Sequence, residues 1–308
     1  MNGILNVLKP PGMTSHDVVS FIRRLTGVHK VGHTGTLDPL AAGVLPVCLG
    51  HATRVIRFLE NDKEYRVEVT FGISTTTGDI SGEIVNRCDG SGLSAASLER
   101  ELENFEGEIE QVPPMTSAIH FQGKRLYELA RAGRVVERRP RKVKLYSLQL
   151  KRLIAWKTAT PLAVLDVVCS AGTYIRSLCM DIGEKLNCCA HVSFLLRTRA
   201  GMFNLDKTVT LEEIQVLKAQ DLLKENLISA KEALSHLAEI QVKASSLPAV
   251  RAGNRLYAAG LVDLPRRKLS FNEHVRLCSG ENLLAIANVQ EENIAEGYCL
   301  KPVVVLNT

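Results

Sequence analysis

The sequence is poor in aromatic side chains and lacks several familiar motifs. One Trp, six Tyr and eight Phe occur among 308 residues, and no run approaches the ~18–20 apolar residues of a membrane span. The eight cysteines form no C-x-x-C pair, and no histidine spacing completes a zinc motif, so reduced, buried thiols and no metal site are predicted. The sequence also has no G-x-G-x-x-G fingerprint of dinucleotide-binding proteins.

The N-terminal segment and the overall composition favour an ordinary globular protein. The first twelve residues hold a short apolar run without a small-residue cleavage site, so no secretory signal is predicted and a reducing cytoplasm is expected. Hydrophobic residues make up 45% and charged residues 23% of the chain. The formal net charge of +5 is compatible with a polyanionic partner such as nucleic acid.

Hydrophobic periodicity predicts strands with interspersed helices. A helix is expected over 14–27, a strand with strict alternation over 63–75, and a strand, a tight turn and a helix over 161–187. The spacing resembles hairpins, which predicts an α+β domain with a mixed, mostly antiparallel sheet. A break near 236–246 separates a large N-terminal domain, 1–240, from a compact β-rich module, 246–308, which carries a small basic patch at Arg266, Arg267 and Lys268.

One isolated carboxylate stands out in the stretch GHTGTLDPLAAGVLPVCLG, residues 32–50. Asp38 precedes Pro39 and lies between Gly35 and Gly43, so its backbone is restricted while its neighbours allow sharp turns. A polar side chain on such a loop is a functional candidate. The alternative is an Asx-type turn, in which the carboxylate accepts a hydrogen bond from a following N–H, and the loop alone favours that interpretation.

Four segments in order carry a family resemblance. They are LNVLKPPGMTSHDVV, GHTGTLDPLAAGVLPVCLGHATR, KEYRVEVTFG and SAGTYIRSLCMDIGEKL. Together they resemble the TruB family of tRNA pseudouridine synthases from about residue 2 to about residue 205. The resemblance implies a catalytic domain of pseudouridine-synthase type, an RNA-binding insertion at about 121–145, and a PUA-like RNA-binding C-terminal domain.

The resemblance implies an isomerase that detaches a uracil from its ribose, rotates it and rejoins it through carbon, acting on uridine 55 of the tRNA T loop. Asp38 matches the catalytic carboxylate, as nucleophile or as a stabiliser of positive charge at the sugar. Arg176 matches the arginine that pairs with this carboxylate, and Tyr65 matches a tyrosine that stacks on the base near the site of proton exchange. Outside the family, Arg176 would be a solvated helix charge and Tyr65 a core residue.

Three further positions match residues that bind the target nucleotide. His33 matches the histidine that fills the space vacated by the flipped base, and its alternative is a loop histidine bonded to its neighbours. Tyr174 follows a glycine turn at a helix start, where it meets a nucleotide or packs the helix on the sheet. Leu195 matches an apolar residue of the uracil pocket; its neighbour Leu196 lies on the other strand face, so a shift of one residue would exchange the two.

Contacts with the RNA backbone are expected from basic residues. Lys9 resembles the lysine of the family's K-P-x-G segment, as structural support or as a phosphate contact. The run RRPRKVK, residues 138–144, is the strongest electrostatic candidate, although charge runs are usually solvated faces. The expected contacts are Lys9, Arg138, Arg139, Arg141 and Lys142.

The sequence departs from the family pattern in two places. The turn TTTGDISG keeps only Asp79, with Thr76 and Ser81 where acids are common, so the expected role of this turn is structural or the positioning of Asp79. Cys188 and Cys189 stand where glycine commonly adjoins a single cysteine, and packing variation is the expectation.

Several functions remain open at this point. The first is a stand-alone tRNA enzyme, a monomer that binds the T arm, needs no cofactor, metal or obligate protein partner, and does not bind membranes. The second is the catalytic subunit of a guide-RNA-dependent particle, although that relative usually lacks the insertion. The third is a non-catalytic tRNA-binding or tRNA-folding protein. A glycosidase is a distant fourth, because no second acid has a place beside Asp38.

Overall fold

The three-dimensional structure is a computed structural model that describes residues 1–117, 119–263, 269–291 and 298–306. The predicted basic patch at Arg266, Arg267 and Lys268 lies outside these residues.

The strands, in chain order, are β1 (Gly3–Lys9), β2 (Val31–His33), β3 (Ala42–Leu49), β4 (Lys63–Phe71), β5 (Ile73–Thr75), β6 (Ile84–Arg87), β7 (Gly107–Gln111), β8 (His120–Phe121), β9 (Lys124–Arg125), β10 (Arg141–Ile154), β11 (Leu162–Cys169), β12 (Ala190–Ala200), β13 (Phe203–Asn204), β14 (Ala238–Gln241), β15 (His274–Ser279), β16 (Asn282–Glu291) and β17 (Tyr298–Val305).

The α-helices of the described residues are short, with 4 to 12 residues each. They are α1 (Ser15–Thr26), α2 (Ala95–Phe105), α3 (Leu126–Arg131), α4 (Ile175–Lys185), α5 (Leu211–Ala219), α6 (Ala230–Ala233) and α7 (Leu247–Arg251). A 3-10 helix over Gly50–Phe58 follows β3. Among the helices of the described ranges, none has the length and apolar character needed to cross a membrane.

A large mixed sheet forms the centre of the molecule. Its strand order is β1–β3–β12–β4–β11–β10–β7, with β2 added to β3 and β13 added to β12. Neighbouring strands run antiparallel, except that β3 and β12 are parallel. This arrangement confirms the predicted α+β fold with a mixed, mostly antiparallel sheet.

The alternating strand β4 lies in the interior of this sheet, between β12 and β11. Side chains two residues apart point to one face of a strand, and here they enter the core below α1, α2 and α4. The buried set on this face is Tyr65, Val67, Val69 and Phe71. The alternation in the sequence therefore predicted the core face of β4 correctly. The predicted strand over 63–75 is too long, because the chain turns at Gly72, φ +88°, and continues as β5 in a separate hairpin.

Helix α1 begins and ends as its sequence predicts. Thr14 is the N-cap, and its hydroxyl accepts from the Asp17 N–H while the Asp17 carboxylate accepts from the Thr14 N–H. Gly27 adopts the left-handed conformation at the C-terminus, φ 69°, which favours glycine. Val18 and Ile22 are fully buried against the sheet. The helix therefore has one fixed position beside the loop that follows β2.

The C-terminal region forms a second sheet, in the order β14–β15–β16–β17. Only β14 and β15 are parallel. A hydrophobic cluster joins this sheet to the large one, since Ile4 and Val44 pack in the same cluster as Ile286 and Val304. The division into 1–240 and 246–308 stays a prediction, with β14 (Ala238–Gln241) placed in the second sheet.

Candidate active site

The loop that carries Asp38 connects β2 to β3 and is fixed from below by helix α1. The Ser15 hydroxyl donates to the Leu37 carbonyl at 3.1 Å and accepts from the Leu37 N–H at 2.8 Å. Leu37 itself is buried, and the Ala41 N–H donates to the Asp38 carbonyl at 3.1 Å. The carboxylate of Asp38 therefore projects from a backbone that is anchored on both sides, and 35% of its side chain is exposed.

Asp38 pairs with Arg176, which lies 138 residues later on α4. Arg176 Nε donates to Asp38 Oδ2 at 2.8 Å, and Nη2 donates to Oδ1 at 3.0 Å. Two parallel hydrogen bonds between a guanidinium and a carboxylate form the strongest of the ordinary ion-pair geometries and fix both groups in one plane. The arginine is 5% exposed, so this pair is largely shielded from water on its cationic side.

The remaining donors of Arg176 are all used. Nη1 donates to the Thr77 carbonyl at 2.9 Å and to the Thr116 hydroxyl, and Nη2 donates to the Thr116 carbonyl at 3.1 Å. Five N–H groups thus have five acceptors, which is the full capacity of a guanidinium. Arg176 is a fixed support for Asp38, and it has no donor left over for a substrate.

The turn between β5 and β6 contributes to this support. Asp79 Oδ2 lies 3.8 Å from Arg176 Nε, and Asp79 Oδ1 accepts from the Thr77 hydroxyl at 2.7 Å and from the Ser81 N–H at 2.9 Å. The same turn supplies the Thr77 carbonyl that Arg176 contacts. The turn, although it lacks the usual additional acids, therefore positions the arginine.

Lys9 lies under the loop and is wholly buried. Its ammonium donates to the carbonyls of Pro10, Pro39 and Ala41 at 2.8, 3.1 and 2.7 Å. Burial lowers its pKa to about 8, partly offset by the nearby negative charge of Asp38. The prediction of a phosphate contact for Lys9 is wrong in this structure, because the three donors already have acceptors, whereas the alternative of structural support is consistent with it.

A second buried cation, Arg197 on β12, was not singled out from the sequence. It is fully buried, and it donates to the carbonyls of Val44, Gly35 and Thr36 at 2.7, 3.0 and 3.5 Å. The backbone of Arg197 also passes so close to Gly43 that a Cβ there would meet its carbonyl oxygen at 2.2 Å. The sequence could have indicated this residue, because an arginine two residues after Leu195 lies on the same, core-facing side of the strand.

Lys63 completes the cationic base of the loop. Its ammonium donates to the carbonyl and side-chain oxygens of Asn61 at 2.9 and 3.3 Å. Burial, together with the charge of Arg197, lowers its pKa to about 8. Three buried cations, Lys9, Lys63 and Arg197, therefore surround a loop that offers one carboxylate.

Tyr65 and Leu195 lie on the same side of the sheet as Arg197. In the register between β4 and β12, Tyr65 is opposite Arg197 and Val67 is opposite Leu195. Both Tyr65 and Leu195 are buried, and burial raises the pKa of the Tyr65 phenol. Leu196 points to the other face, so the register agrees with the choice of Leu195.

His33 ends β2 and lies beside the start of the Asp38 loop. The Gly35 N–H donates to His33 Nδ1 at 3.2 Å, which leaves the proton of the neutral ring on Nε2. Burial lowers the His33 pKa to about 4, and the charges of Arg197 and His16 act in the same direction. The imidazole is therefore neutral at physiological pH.

Tyr174 is the N-cap of α4, two residues before Arg176. The chain turns sharply at Gly172, φ +87°, where glycine is favoured. Gln111, which is buried at the end of β7, then fixes the tyrosine backbone: its Oε1 accepts from the Tyr174 N–H at 2.9 Å, and its Nε2 donates to the Tyr174 carbonyl at 3.3 Å. Five of the predicted residues, Asp38, Arg176, Tyr65, His33 and Tyr174, are thus connected to one loop and its supports.

Comparison with known proteins assigns this arrangement to a family. The family model described as TruB family pseudouridylate synthase (N terminal domain) matches residues 23–175, and the model described as tRNA pseudouridylate synthase B C-terminal domain matches residues 176–237. A curated protein of Pelotomaculum thermopropionicum, named tRNA pseudouridine synthase B, is 54% identical over 99% of this chain and 97% of its own length. This chain belongs to the TruB family of pseudouridylate synthases.

Other TruB relatives extend the comparison over the whole chain. The tRNA pseudouridine synthase B of Moorella thermoacetica is 45% identical over 99% of both proteins. Among solved structures, the crystal structure of a Cbf5-Nop10-Gar1 complex contains a chain of 28% identity and TM-score 0.75, covering 98% of this chain and 84% of that one. A chain in the structure of an H/ACA RNP bound to a substrate RNA containing 2'-deoxyuridine has 26% identity and TM-score 0.76, covering 99% of this chain and 85% of that one. The family resemblance of the sequence is confirmed, and with it the assignment as an isomerase.

The basic run of this TruB member is only partly available at the surface. Arg139 and Arg141 are exposed, and Lys142 is exposed but pairs with Glu108 at 2.7 Å. Arg138 departs from the prediction, because it is half-buried, donates to the Pro113 carbonyl at 3.0 Å, and has an Nε that is buried without a partner. Its visible role is to attach the segment before β10 to the segment after β7.

Proposed function

We propose that this chain converts uridine 55 in the T loop of tRNA into pseudouridine, with Asp38 as the catalytic carboxylate. The observation that carries the proposal is the Asp38–Arg176 pair, in which both carboxylate oxygens are bonded to one guanidinium while 35% of the aspartate side chain stays exposed. The names of the relatives, tRNA pseudouridine synthase B, support tRNA as the substrate.

The reaction is an isomerisation, so atoms balance without water. The N1–C1′ bond of the uridine breaks, the uracil rotates, and a C5–C1′ bond forms while the C5 proton is lost and N1 gains a proton. One carboxylate is sufficient because it either attacks the nucleoside covalently or stabilises positive charge on the ribose. A rigid loop favours this chemistry because it holds the carboxylate near its attack geometry.

The other residues receive roles around the flipped nucleotide. Tyr65 stacks on the uracil and lies near the proton exchange, Leu195 lines the uracil pocket, and Tyr174 contacts the nucleotide from the start of α4. His33 occupies the space left by the base in the RNA. A neutral imidazole suits that role, because no charged group has to lose its hydration when the ring enters a stack of bases.

The RNA backbone is bound by the exposed cations of the insertion and by the C-terminal module. Arg139, Arg141 and Lys142 supply phosphate contacts, and residues 246–308 form the PUA-like domain. The enzyme acts as a monomer in the cytoplasm, without a cofactor, a metal or a protein partner. Because phosphate contacts release counterions, the affinity for tRNA is expected to fall as the salt concentration rises.

The test uses the purified chain alone and an unmodified tRNA transcript. Pseudouridine is mapped by carbodiimide modification and primer extension, and it is expected at uridine 55. Asp38→Asn should bind tRNA normally and form no product. A matched control is Asp166→Asn: Asp166 also accepts a fork of two hydrogen bonds, from Arg66 at 2.8 and 2.9 Å, but this arginine is 53% exposed and lies on the face of the sheet opposite Tyr65. It should retain full activity.

Three results would contradict the proposal, and a fourth would change only the position of the target. Near-normal turnover by Asp38→Asn would remove Asp38 from the chemistry. Product that forms only after a guide RNA is added would favour the guide-dependent function of the family, and binding without any product under either condition would favour a tRNA-folding protein. Pseudouridine at another position of the tRNA would contradict only the assignment of uridine 55 as the target.

A further inference from the structure

Three cysteines meet at the base of the hairpin formed by β5 and β6. Cys88 follows β6, whereas Cys188 and Cys189 immediately precede β12, about 100 residues later. Cys88 Sγ lies 3.3 Å from Cys188 Sγ, and the Cys189 N–H donates to Cys88 Sγ at 2.8 Å. All three are free thiols. In the parts of the chain that the structure describes, no group of three His, Cys, Asp or Glu side chains is arranged to hold a metal ion.

The two facing sulfurs differ in their surroundings. Cys88 is partly exposed, while Cys188 is buried. Burial by itself raises the pKa of Cys88, but the hydrogen bonds from Cys189 outweigh that effect and leave the pKa below its ordinary value. Burial raises the pKa of Cys188 to about 12, and its contact with Cys88 acts in the same direction. Of the two sulfurs, the accessible one therefore has the greater tendency to form a thiolate, which is the form that reacts with oxidants.

We propose that Cys88 and Cys188 form a reversible redox pair, in which a peroxide oxidises Cys88 and Cys188 converts the product into a disulfide. The Cys88 thiolate attacks one peroxide oxygen, the O–O bond breaks, and Cys88 becomes a sulfenic acid as hydroxide leaves. The Cys188 sulfur then attacks the Cys88 sulfur, the S–O bond breaks, and the hydroxyl leaves with the Cys188 proton as water. Two electrons pass from the two thiols to one peroxide.

The geometry makes this pairing accessible with a small movement. The two sulfurs must approach from 3.3 Å to about 2.05 Å. The backbone around them is already joined through Gly72, whose N–H donates to the Cys189 carbonyl at 2.8 Å and whose carbonyl accepts from the Cys88 N–H at 2.9 Å. A free buried cysteine usually acts as a small apolar group, but Cys88 is partly exposed and accepts a backbone N–H.

The bond would strengthen a segment that supports the candidate active site. The hairpin ends in the turn that carries Thr77 and Asp79, both of which hold Arg176 in place. A disulfide between Cys88 and Cys188 closes a loop of about 100 residues, and long closed loops restrict the unfolded chain most. The oxidised protein is therefore expected to melt at a higher temperature than the reduced one.

The experiment treats the reduced full-length chain with hydrogen peroxide, blocks remaining thiols with an alkylating reagent, and maps cysteines by peptide mass spectrometry. A linked Cys88–Cys188 peptide with a loss of two hydrogens is expected, and dithiothreitol should reverse it. Cys188→Ser should stop at the sulfenic acid of Cys88, which dimedone traps. Cys179→Ser, at a fully buried cysteine of α4, is the matched control and should oxidise as the unaltered chain does.

Cys88→Ser, or Cys88→Ala if serine disturbs the fold, should abolish both the linked peptide and the rise in melting temperature. A dominant Cys188–Cys189 or Cys88–Cys189 disulfide would overturn the proposed pairing. Resistance of all three thiols to peroxide, or oxidation of Cys88 to a sulfonic acid without a disulfide, would overturn the proposal as a whole.

Discussion

Arg197 lies directly opposite Tyr65 on the neighbouring strands β12 and β4, and its guanidinium holds the backbone of the Asp38 loop. One side chain thus connects the strand that carries Tyr65 to the loop that carries Asp38. Because the arginine is fully buried, its hydrogen bonds cannot be replaced by water without rearrangement.

Arg197→Lys is expected to lower the free energy of unfolding by about 2–4 kcal/mol, because lysine leaves at least one buried carbonyl without a donor. Urea unfolding measures this change. Arg199→Lys provides the control. Arg199 lies on the same strand as Arg197 and pairs with Glu64 of β4 at 2.8 Å, but it is 27% exposed, so a change within about 1 kcal/mol is expected. Equal losses for the two variants would show that burial of Arg197 has no special importance.

Arg176→Lys should slow catalysis while tRNA binding changes little. A lysine keeps the charge near Asp38 but cannot form the fork or reach Thr77 and Thr116 together, so the carboxylate loses its fixed plane. Lysine can keep at most three of the five hydrogen bonds, and the loss of one of the two charged bonds to the carboxylate predicts a decrease in kcat of about 10–100-fold. Steady-state kinetics over a range of tRNA concentrations measures kcat and KM, and Arg66→Lys, which alters the partly exposed fork between Arg66 and Asp166, is the control. An increase in KM with unchanged kcat would contradict a positioning role.

His33→Ala should impair the reaction on folded tRNA by about 10–1000-fold without abolishing it, because unpairing and unstacking a base costs a few kcal/mol. The defect should shrink on a T loop whose closing interaction is disrupted, since the uridine is then already accessible. Asp38→Asn should be inactive on both substrates. An equal defect of His33→Ala on the two substrates would point to loop architecture instead of base flipping.

Stability should fall with decreasing pH between about 6.5 and 4 because of His33. Its pKa is near 6.5 in an unfolded chain and about 4 in the folded protein, so the unfolded state binds more protons in this window. The stabilising contribution is fully present above pH 6.5 and is lost as the pH approaches 4. Thermal melts of the unaltered chain and of His33→Gln test this, and the variant should show the shallower pH dependence in this window. Parallel curves would exclude His33 as the source.

Removal of residues 246–308 is expected to destabilise the catalytic domain as well as to weaken tRNA binding. The cut would take away β15, the partner of β14, and would expose Ile4 and Val44 where they pack with Ile286 and Val304. Loss of several buried aliphatic side chains predicts a decrease of several kcal/mol in the free energy of unfolding. A truncated protein that melts at the temperature of the full chain would show that the two sheets are energetically independent.

The sequence by itself determined the local features of this protein. Alternation in β4, the capping residues Thr14 and Gly27 of α1, and the turn before α4 are encoded within a few residues each, because backbone preferences and side-chain periodicity act locally. The restricted backbone around Asp38 was visible for the same reason, and four ordered segments were enough to indicate the TruB family.

Only the tertiary structure decided which of these residues meet and which are buried. Lys9 and Arg138 are both basic in the sequence, yet Lys9 lies wholly under the loop and Arg138 is half-buried. Arg197 and the contact between Cys88 and Cys188 join strands and turns that are far apart along the chain. Burial, and with it the pKa of a charge or a thiol, depends on what packs against a residue from other elements, and neither periodicity nor spacing contains that information.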